Sequence, residues 1–242
     1  MRSPNTTMCP ARPMQGAFYA ACLAAATLAA APALAQDSGW RYAGCHAGVH
    51  AGGLWGQADD WTVKTPGGDF FGQSLGSHSL SSGIGGIQAG CDIERDGFVL
   101  GLGGDYSWAD ASGSHPSRLE RGVFYSSRIS GTGAVTARAG YRIDRILGYV
   151  RAGLAWQNDR YEASTIITGP AFLANELRTG WNLGVGGEYS VTDRFGVFLE
   201  YDYRDYGDDT IGLTPLIPGL GPASVAIDSR TSVVRAGVNL RF

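Results

Sequence analysis

The side chains best suited to metal binding are two histidines, His46 and His50, four residues apart in an alternating segment. In a β-strand this spacing puts both imidazoles on one face. A metal site in a protein needs at least three ligands, and no third ligand lies within sequence reach. We therefore predict polar strand residues here, with no metal site and no cofactor.

Two further histidines, His78 and His115, each follow a serine, Ser77 and Ser114. Serine and histidine are the residue types of a nucleophile and its general base. The sequence offers no orienting group for such a pair, so we predict no catalytic residues. No Gly-rich loop precedes a helix as a phosphate site requires, and a net charge of −3 gives no attraction to nucleic acid.

The segment that positions the rest of the chain is its last, from Thr231 to Phe242. Apolar side chains alternate there with mostly polar residues and glycine, which predicts a strand with one face in an apolar medium. The apolar set is Val234, Ala236, Val238, Leu240 and Phe242.

Seven earlier segments repeat this alternation. They are Tyr42–Leu54, Ile84–Ile93, Phe98–Trp108, Ile129–Tyr141, Ile146–Trp156, Thr179–Tyr189 and Phe195–Tyr206. Each is about 10 residues, the length that crosses a bilayer at a tilt, and aromatic residues gather at the ends. The connections alternate between long and short, as in barrels with external loops and tight periplasmic turns.

These features predict an all-β fold, an eight-stranded antiparallel up-and-down transmembrane β-barrel. A closed barrel satisfies every backbone group in lipid. The alternative is a soluble lipocalin-like barrel, whose apolar faces would point inward. The four long segments, expected to be external loops, are Trp55–Ser82, Ala109–Ser127, Gln157–Arg178 and Gly207–Arg230. In the last of these, the apolar residues Leu213, Leu216, Ile217 and Leu220 suggest a contact with lipid or a partner, or a loop folded over the barrel mouth.

The N-terminus has the pattern of a cleavable signal peptide over residues 1–35, followed by the barrel domain over 36–242. Arginines precede an apolar run from Gly16 to Ala31, and Ala33 and Ala35 form a small-residue cleavage site. The alternative is an uncleaved anchor. Export implies an oxidising compartment, where the two remaining cysteines, Cys45 and Cys91, are disulfide candidates. Antiparallel neighbouring strands put both at the periplasmic level, but the register must bring their Cα atoms within about 7 Å. Otherwise they are separate small apolar residues.

Charged residues recur on the face opposite the apolar one, which in a membrane barrel points into the lumen. This set is Asp92, Asp105, Arg138, Arg151, Glu188, Glu200, Asp202, Arg204 and Arg235. The interior of an eight-stranded barrel is just wide enough for side chains to fill it. We expect a salt-bridged plug, and the alternative is a narrow polar pore.

Three stretches, Trp40–Gly56, Gly180–Tyr189 and Asp193–Gly207, together with the terminal VNLRF, carry a family resemblance. In order and spacing they resemble the small outer-membrane β-barrels of alphaproteobacterial surface antigens, a porin-family group related to the opacity-protein and outer-membrane-protein-A-like barrels. Cys45 departs from the pattern, since a tyrosine often stands there.

The resemblance implies an integral protein of the Gram-negative outer membrane with a structural and surface-antigen role. Its expected partners are outer-membrane lipid, lipopolysaccharide and a host or phage ligand. It also implies that the barrel assembly machinery reads the strand end, Val238, Leu240 and Phe242. The alternatives are a narrow porin for small solutes and a lipid-modifying barrel enzyme.

Overall fold

The computed structural model describes residues 42–65, 71–219 and 221–242, apart from the side chain of Asp60. The predicted signal peptide lies outside these residues. The strands are β1 Gly44–Val63, β2 His78–Arg95, β3 Phe98–Pro116, β4 Val123–Ile143, β5 Ile146–Thr165, β6 Gly169–Ser190, β7 Phe195–Pro215 and β8 Ala223–Arg241. Within the described part of the chain, no helix is long and apolar enough to cross a membrane.

Each strand pairs antiparallel with its neighbours in sequence, and β8 pairs with β1 to close the barrel. Val49 of β1, for example, lies opposite Ile87 of β2 on one side and Val238 of β8 on the other. Closure removes both sheet edges, which in lipid would expose unpaired N–H and C=O groups. The predicted eight-stranded barrel, with the last strand closing it, is confirmed.

The predicted turn at Asp96-Gly97 is a tight hairpin between β2 and β3. Asp96 has φ of 53° and Gly97 has φ of 83°. Positive φ at both central residues is the geometry of a type I′ turn, which matches the twist of paired strands and favours Asp-Gly. The turn therefore fixes the β2–β3 register at the periplasmic end.

The outward face carries an apolar belt around the lower half of the barrel. Leu102, Leu154 and Leu183, from three different strands, are more than half exposed. Trp55, Trp108, Trp156 and Trp181 form the upper girdle of the belt, and Tyr141, Tyr189 and Phe242 lie at its lower edge. Exposed aliphatic side chains between two aromatic girdles are the surface of a barrel in a bilayer.

Above the upper girdle the polarity of the two faces is inverted. On β5, Val150 and Leu154 point outward and Arg151 inward within the belt, whereas above Trp156 the outward residue is Arg160 and the inward residue is Tyr161. This upper part, which we call the cap, therefore has a polar exterior and an apolar interior, as a water-soluble barrel has.

The prediction of long external loops was wrong over most of their length, because the strands continue into the cap. Observed strands have 18 to 22 residues, about twice the predicted length. The connections at this end shrink to residues 64–77, 117–122, 166–168 and 216–222. Leu213, predicted in an exposed loop, is buried on β7, while Leu216 is exposed at the tip and Leu220 lies outside the described residues. The alternation did continue, but with its polarity reversed.

The cap has its own hydrophobic core, to which at least six strands contribute. Its members include Leu54, Trp61, Leu80, Ile129, Tyr161, Ile211 and Ile227. Trp61 is fully buried and packs its ring against Tyr125 and Tyr161 at centroid distances of 5.4 and 5.6 Å. Aromatic pairs at such distances stabilise a core beyond their buried area, so the cap is a packed unit.

Candidate functional site

One layer of charge crosses the lumen at mid-height of the apolar belt. It consists of Asp105, Arg151, Glu200, Asp202, Arg204 and Arg235, all less than a tenth exposed. Arg235 lies 2.6 Å from Asp105 and 2.7 Å from Glu200. Arg151 lies 2.9 Å from Glu200, and Arg204 lies 2.9 Å from Asp105. Three carboxylates thus face three guanidinium groups, the arrangement that buried charges require.

A second layer lies nearer the periplasmic end and joins five strands. Arg138 donates from Nε to Asp92 over 2.7 Å and lies 3.5 Å from Glu188. Glu188 also accepts a hydrogen bond from Arg241, and His46 lies 3.3 Å from Asp92. The structure places all nine charges predicted for the lumen in these two layers.

Two members of the layers, Arg241 and Tyr149, were not among the predicted lumen charges. Arg241 pairs with Glu188, and the Tyr149 hydroxyl donates to Glu200 over 2.5 Å. His46, predicted as a polar strand residue, lies beside Asp92. Strand parity put all three on the inward face, and that signal was enough to find Arg241. The aromatic ring of Tyr149 hid its polar role, because a tyrosine on a strand fits either face.

Tyr42 closes the barrel below the second layer. It is fully buried and packs with Val99, Leu147 and Tyr149. Its hydroxyl lies 2.8 Å from the Arg145 carbonyl, and the Arg241 guanidinium stacks 4.2 Å above its ring. The lumen also contains a cavity of about 40 Å³ lined by both layers, room for a few water molecules.

His50 lies above the second layer and does not share a site with His46. Its Nδ1 is 2.6 Å from Gln88 Oε1 and its Nε2 is 2.8 Å from Ser107 Oγ. Both ring nitrogens therefore have neutral hydrogen-bonding partners, which accounts for the residue as a polar filler of the lumen.

The other two histidines meet inside the cap. His78 Nδ1 is 2.8 Å from His115 Nδ1, and His78 Nε2 is 2.6 Å from Ser127 Oγ. The serine that reaches His78 is thus on β4, and neither Ser77 nor Ser114 takes that place. Burial, and next the neighbouring His115, lowers the pKa of His78 to about 4, and burial lowers the pKa of His115. The pair is therefore neutral at pH 7.

This serine–histidine–histidine chain has the order of a hydrolytic relay, in which a base activates a serine and a third group orients the base. Ser127 is only 4% exposed and His115 only 7%. The Trp61 ring packs edge-on 5.6 Å from the His115 ring, and the Tyr125 ring stacks on His115 at 5.7 Å. The surroundings are those of a packed core.

Cys45 and Cys91 lie directly opposite each other on β1 and β2. Their Cα atoms are 3.9 Å apart and their sulfur atoms are bonded. Both side chains are on the outward face near the periplasmic end. The strand register supplies the approach that the sequence left open.

The sequence profile of the outer membrane protein β-barrel domain family matches residues 20–242. The chain is 29% identical over 185 residues to the 31 kDa outer-membrane immunogenic protein of Brucella melitensis, covering 70% of this chain and 71% of the relative. It is 26% identical over 205 residues to the 25 kDa outer-membrane immunogenic protein of Brucella abortus, covering 84% and 80%.

Among solved structures, the outer membrane protease OmpT of Escherichia coli superposes with a TM-score of 0.53. The match covers 82% of this chain and 97% of that one, at 11% sequence identity. An identity this low shows a shared fold only.

Proposed function

This chain belongs to the outer membrane protein β-barrel domain family and is located in the cell outer membrane, and from that premise we propose a structural, surface-exposed barrel with a closed lumen. The observation that carries the proposal is the filling of the interior at four levels. These are Tyr42, the two charge layers and the cap core. A filled barrel offers no path for solutes, so its function resides on its surface.

The proposed surface role is contact with lipopolysaccharide or with an extracellular partner such as a host or phage component. Apolar side chains stand exposed at the external tips, among them Phe71, Ile166, Ile167 and Leu216. Exposed apolar groups on a rigid scaffold are typical of interaction surfaces. Two relatives are named as immunogenic, which supports a surface-antigen role for this chain as well.

The proposal does not include catalysis. The Ser127 side chain is buried, with only 4% exposed, whereas a nucleophile must be reachable by its substrate. A fluorophosphonate probe is therefore expected to leave the folded protein unlabelled. Labelling that disappears in Ser127→Ala would contradict this and favour a barrel enzyme.

We also propose that the barrel assembly machinery reads the end of β8. Val238, Leu240 and Phe242 all point outward and are 46%, 44% and 68% exposed. This strand pairs with β1 and closes the barrel. The residues that the assembly machinery would recognise therefore lie on the strand that completes the barrel.

The test of the proposed function is conductance in planar lipid bilayers. Refolded protein, shown to be folded by a heat-dependent shift in gel mobility, is expected to give no unitary current steps. Reproducible steps from the folded fraction would favour the narrow porin instead. The absence of a heat shift in outer-membrane extracts would contradict the barrel role itself.

A further inference from the structure

Within the described part of the chain, the barrel wall has one long interruption, which lies between β6 and β7. Paired residues run up to Trp181 and Asp205, stop, and resume at Leu173 and Thr214. Residues 174–180 of β6 are paired with β5, and residues 208–213 of β7 are paired with β8, but the two stretches do not pair with each other. We call this interruption the seam. It begins at the upper girdle, where the belt meets the cap.

Arg178 bridges the seam in place of the missing backbone hydrogen bonds. Its Nη2 donates to the carbonyl oxygens of Gly207 and Ile227 over 2.6 and 2.9 Å. Its Nε is 3.6 Å from an Asp209 carboxylate oxygen. Arg178 is 2% exposed, so it holds the seam from inside and is not available to a ligand.

An apolar groove of about 740 Å³ lies on the outer surface at the lower end of the seam. Val135, Leu154, Trp156 and Trp181 form its walls. Gly180 contributes to its floor, where a Cβ atom would lie 2.0 Å from the Asp205 carbonyl oxygen. The lack of a side chain at Gly180 allows this close approach of β6 to the β7 backbone at the lower end of the seam.

Polar groups border the groove on its upper side. Asp205 accepts a hydrogen bond from the Gly207 amide over 2.9 Å and lies 3.6 Å from Arg230. The Arg230 side chain is 47% exposed and also donates to Asp228 over 2.6 Å. The upper edge of the apolar groove is therefore formed by Asp205, whose carboxylate is paired with Arg230.

We propose that this groove is a specific binding site for one acyl chain of outer-leaflet lipopolysaccharide. The groove is continuous with the apolar belt and ends at the girdle, where acyl chains give way to head groups. The proposal rests on the outer-membrane role above and deepens it by placing the lipid on one side of the barrel.

The groove can be filled without changing the lumen or the cap core. Thr179 is exposed on the outer face of β6, opposite Trp156, and lines the groove. Thr179→Trp puts a third indole between Trp156 and Trp181. Trp181→Ala removes a wall instead. Ala47→Trp, on the outward face of β1, is the control for an added indole in the belt.

The experiment titrates detergent-solubilised full-length protein with purified deep-rough lipopolysaccharide and follows binding by native mass spectrometry. We expect one tightly held molecule on the wild type and on Ala47→Trp. In Thr179→Trp and Trp181→Ala, affinity should fall by about tenfold or more. Equal affinity in all four proteins, or retention of phospholipid alone, would overturn the proposal.

Gel mobility and conductance separate this proposal from the function on which it depends. If all four proteins show the heat shift and no current but bind lipopolysaccharide equally, only the groove assignment fails. If the wild type lacks the heat shift, the barrel role fails with it.

Discussion

Arg235 on β8 lies 2.6 Å from Asp105 on β3, so one ion pair spans the lumen between strands that are three positions apart in the ring. Asp105 also faces Arg151 and Arg204 at 2.5 and 2.9 Å. One carboxylate thus holds three guanidinium groups together. Ion pairs therefore connect strands across the lumen, in addition to the backbone hydrogen bonds between neighbouring strands.

Removing Asp105 should be more damaging than removing any exposed carboxylate. Asp105→Ala leaves three arginines with two carboxylates, and an unpaired buried charge costs about 3–5 kcal/mol of unfolding free energy. Urea unfolding in detergent, followed by the gel-mobility shift, measures the change. Asp193→Ala, in an exposed periplasmic turn, is the control and should be nearly neutral. Equal stability of the two variants would mean that the layer is not a structural tie.

The disulfide should form in the cell and stabilise the periplasmic end. Protein extracted without reductant and denatured should take up no maleimide on Cys45 or Cys91, and should take it up at both after reduction. Closing a loop across 46 positions should make Cys45→Ala/Cys91→Ala less stable by about 2–4 kcal/mol. Labelling without reductant would show free thiols in the native protein.

Acidification should loosen the cap before the belt. A free histidine has a pKa near 6.5, whereas burial lowers the pKa of His78 to about 4. The unfolded chain therefore binds more protons between these values, so stability is full above pH 6.5 and falls as the pH drops toward 4. Hydrogen exchange of the Trp61 region between pH 7.5 and 4.5 measures this. Burial raises the pKa of Asp159 in the same cap to about 6, so its protonation acts in the opposite direction and the comparison is made in an Asp159→Asn background. In that background His78→Gln, which does not titrate, should reduce the pH dependence. Unchanged cap exchange in Asp159→Asn would contradict the prediction.

Asp159 should destabilise the cap at neutral pH. Burial raises its pKa to about 6, against hydrogen bonds from Gln157 and Tyr161 and the nearby Arg178. Its ionised form is thus disfavoured in the folded state. Asp159→Asn should gain about 2–3 kcal/mol at pH 8, a gain that shrinks below pH 6 and vanishes below about pH 4. Thermal unfolding across this pH range is the measurement, and a gain independent of pH would point to another cause.

The exposed end of β8 should affect biogenesis more than stability. Phe242→Ala removes a side chain that is 68% exposed at the edge of the belt, so refolded protein should keep its urea midpoint. If the assembly machinery reads this residue, the steady-state amount in the outer membrane should fall. Leu100→Ala, which is 54% exposed on β3, is the matched control. Equal amounts of both variants in the membrane would mean that Phe242 has no special role in assembly.

The sequence by itself determined the belt. A side-chain period of two is local, so each crossing segment reports which residues face lipid and which face the lumen. The same parity put the nine charges inside, and the Asp-Gly pair predicted the tight turn at Asp96. The alternation of short and long connections was enough to order the strands.

Only the tertiary structure decided the cap, the pairings and the seam. In the cap the alternation changes sign, because the outside is water and the inside is a core, and a polar outward face resembles a loop in sequence. Which carboxylate meets which arginine depends on the stagger of the closed barrel. The approach of His78 to Ser127, and of Cys45 to Cys91, depends on register between strands distant in sequence. Local sequence patterns determine whether a side chain faces the lumen or the exterior, but closure of the barrel determines which residues it contacts.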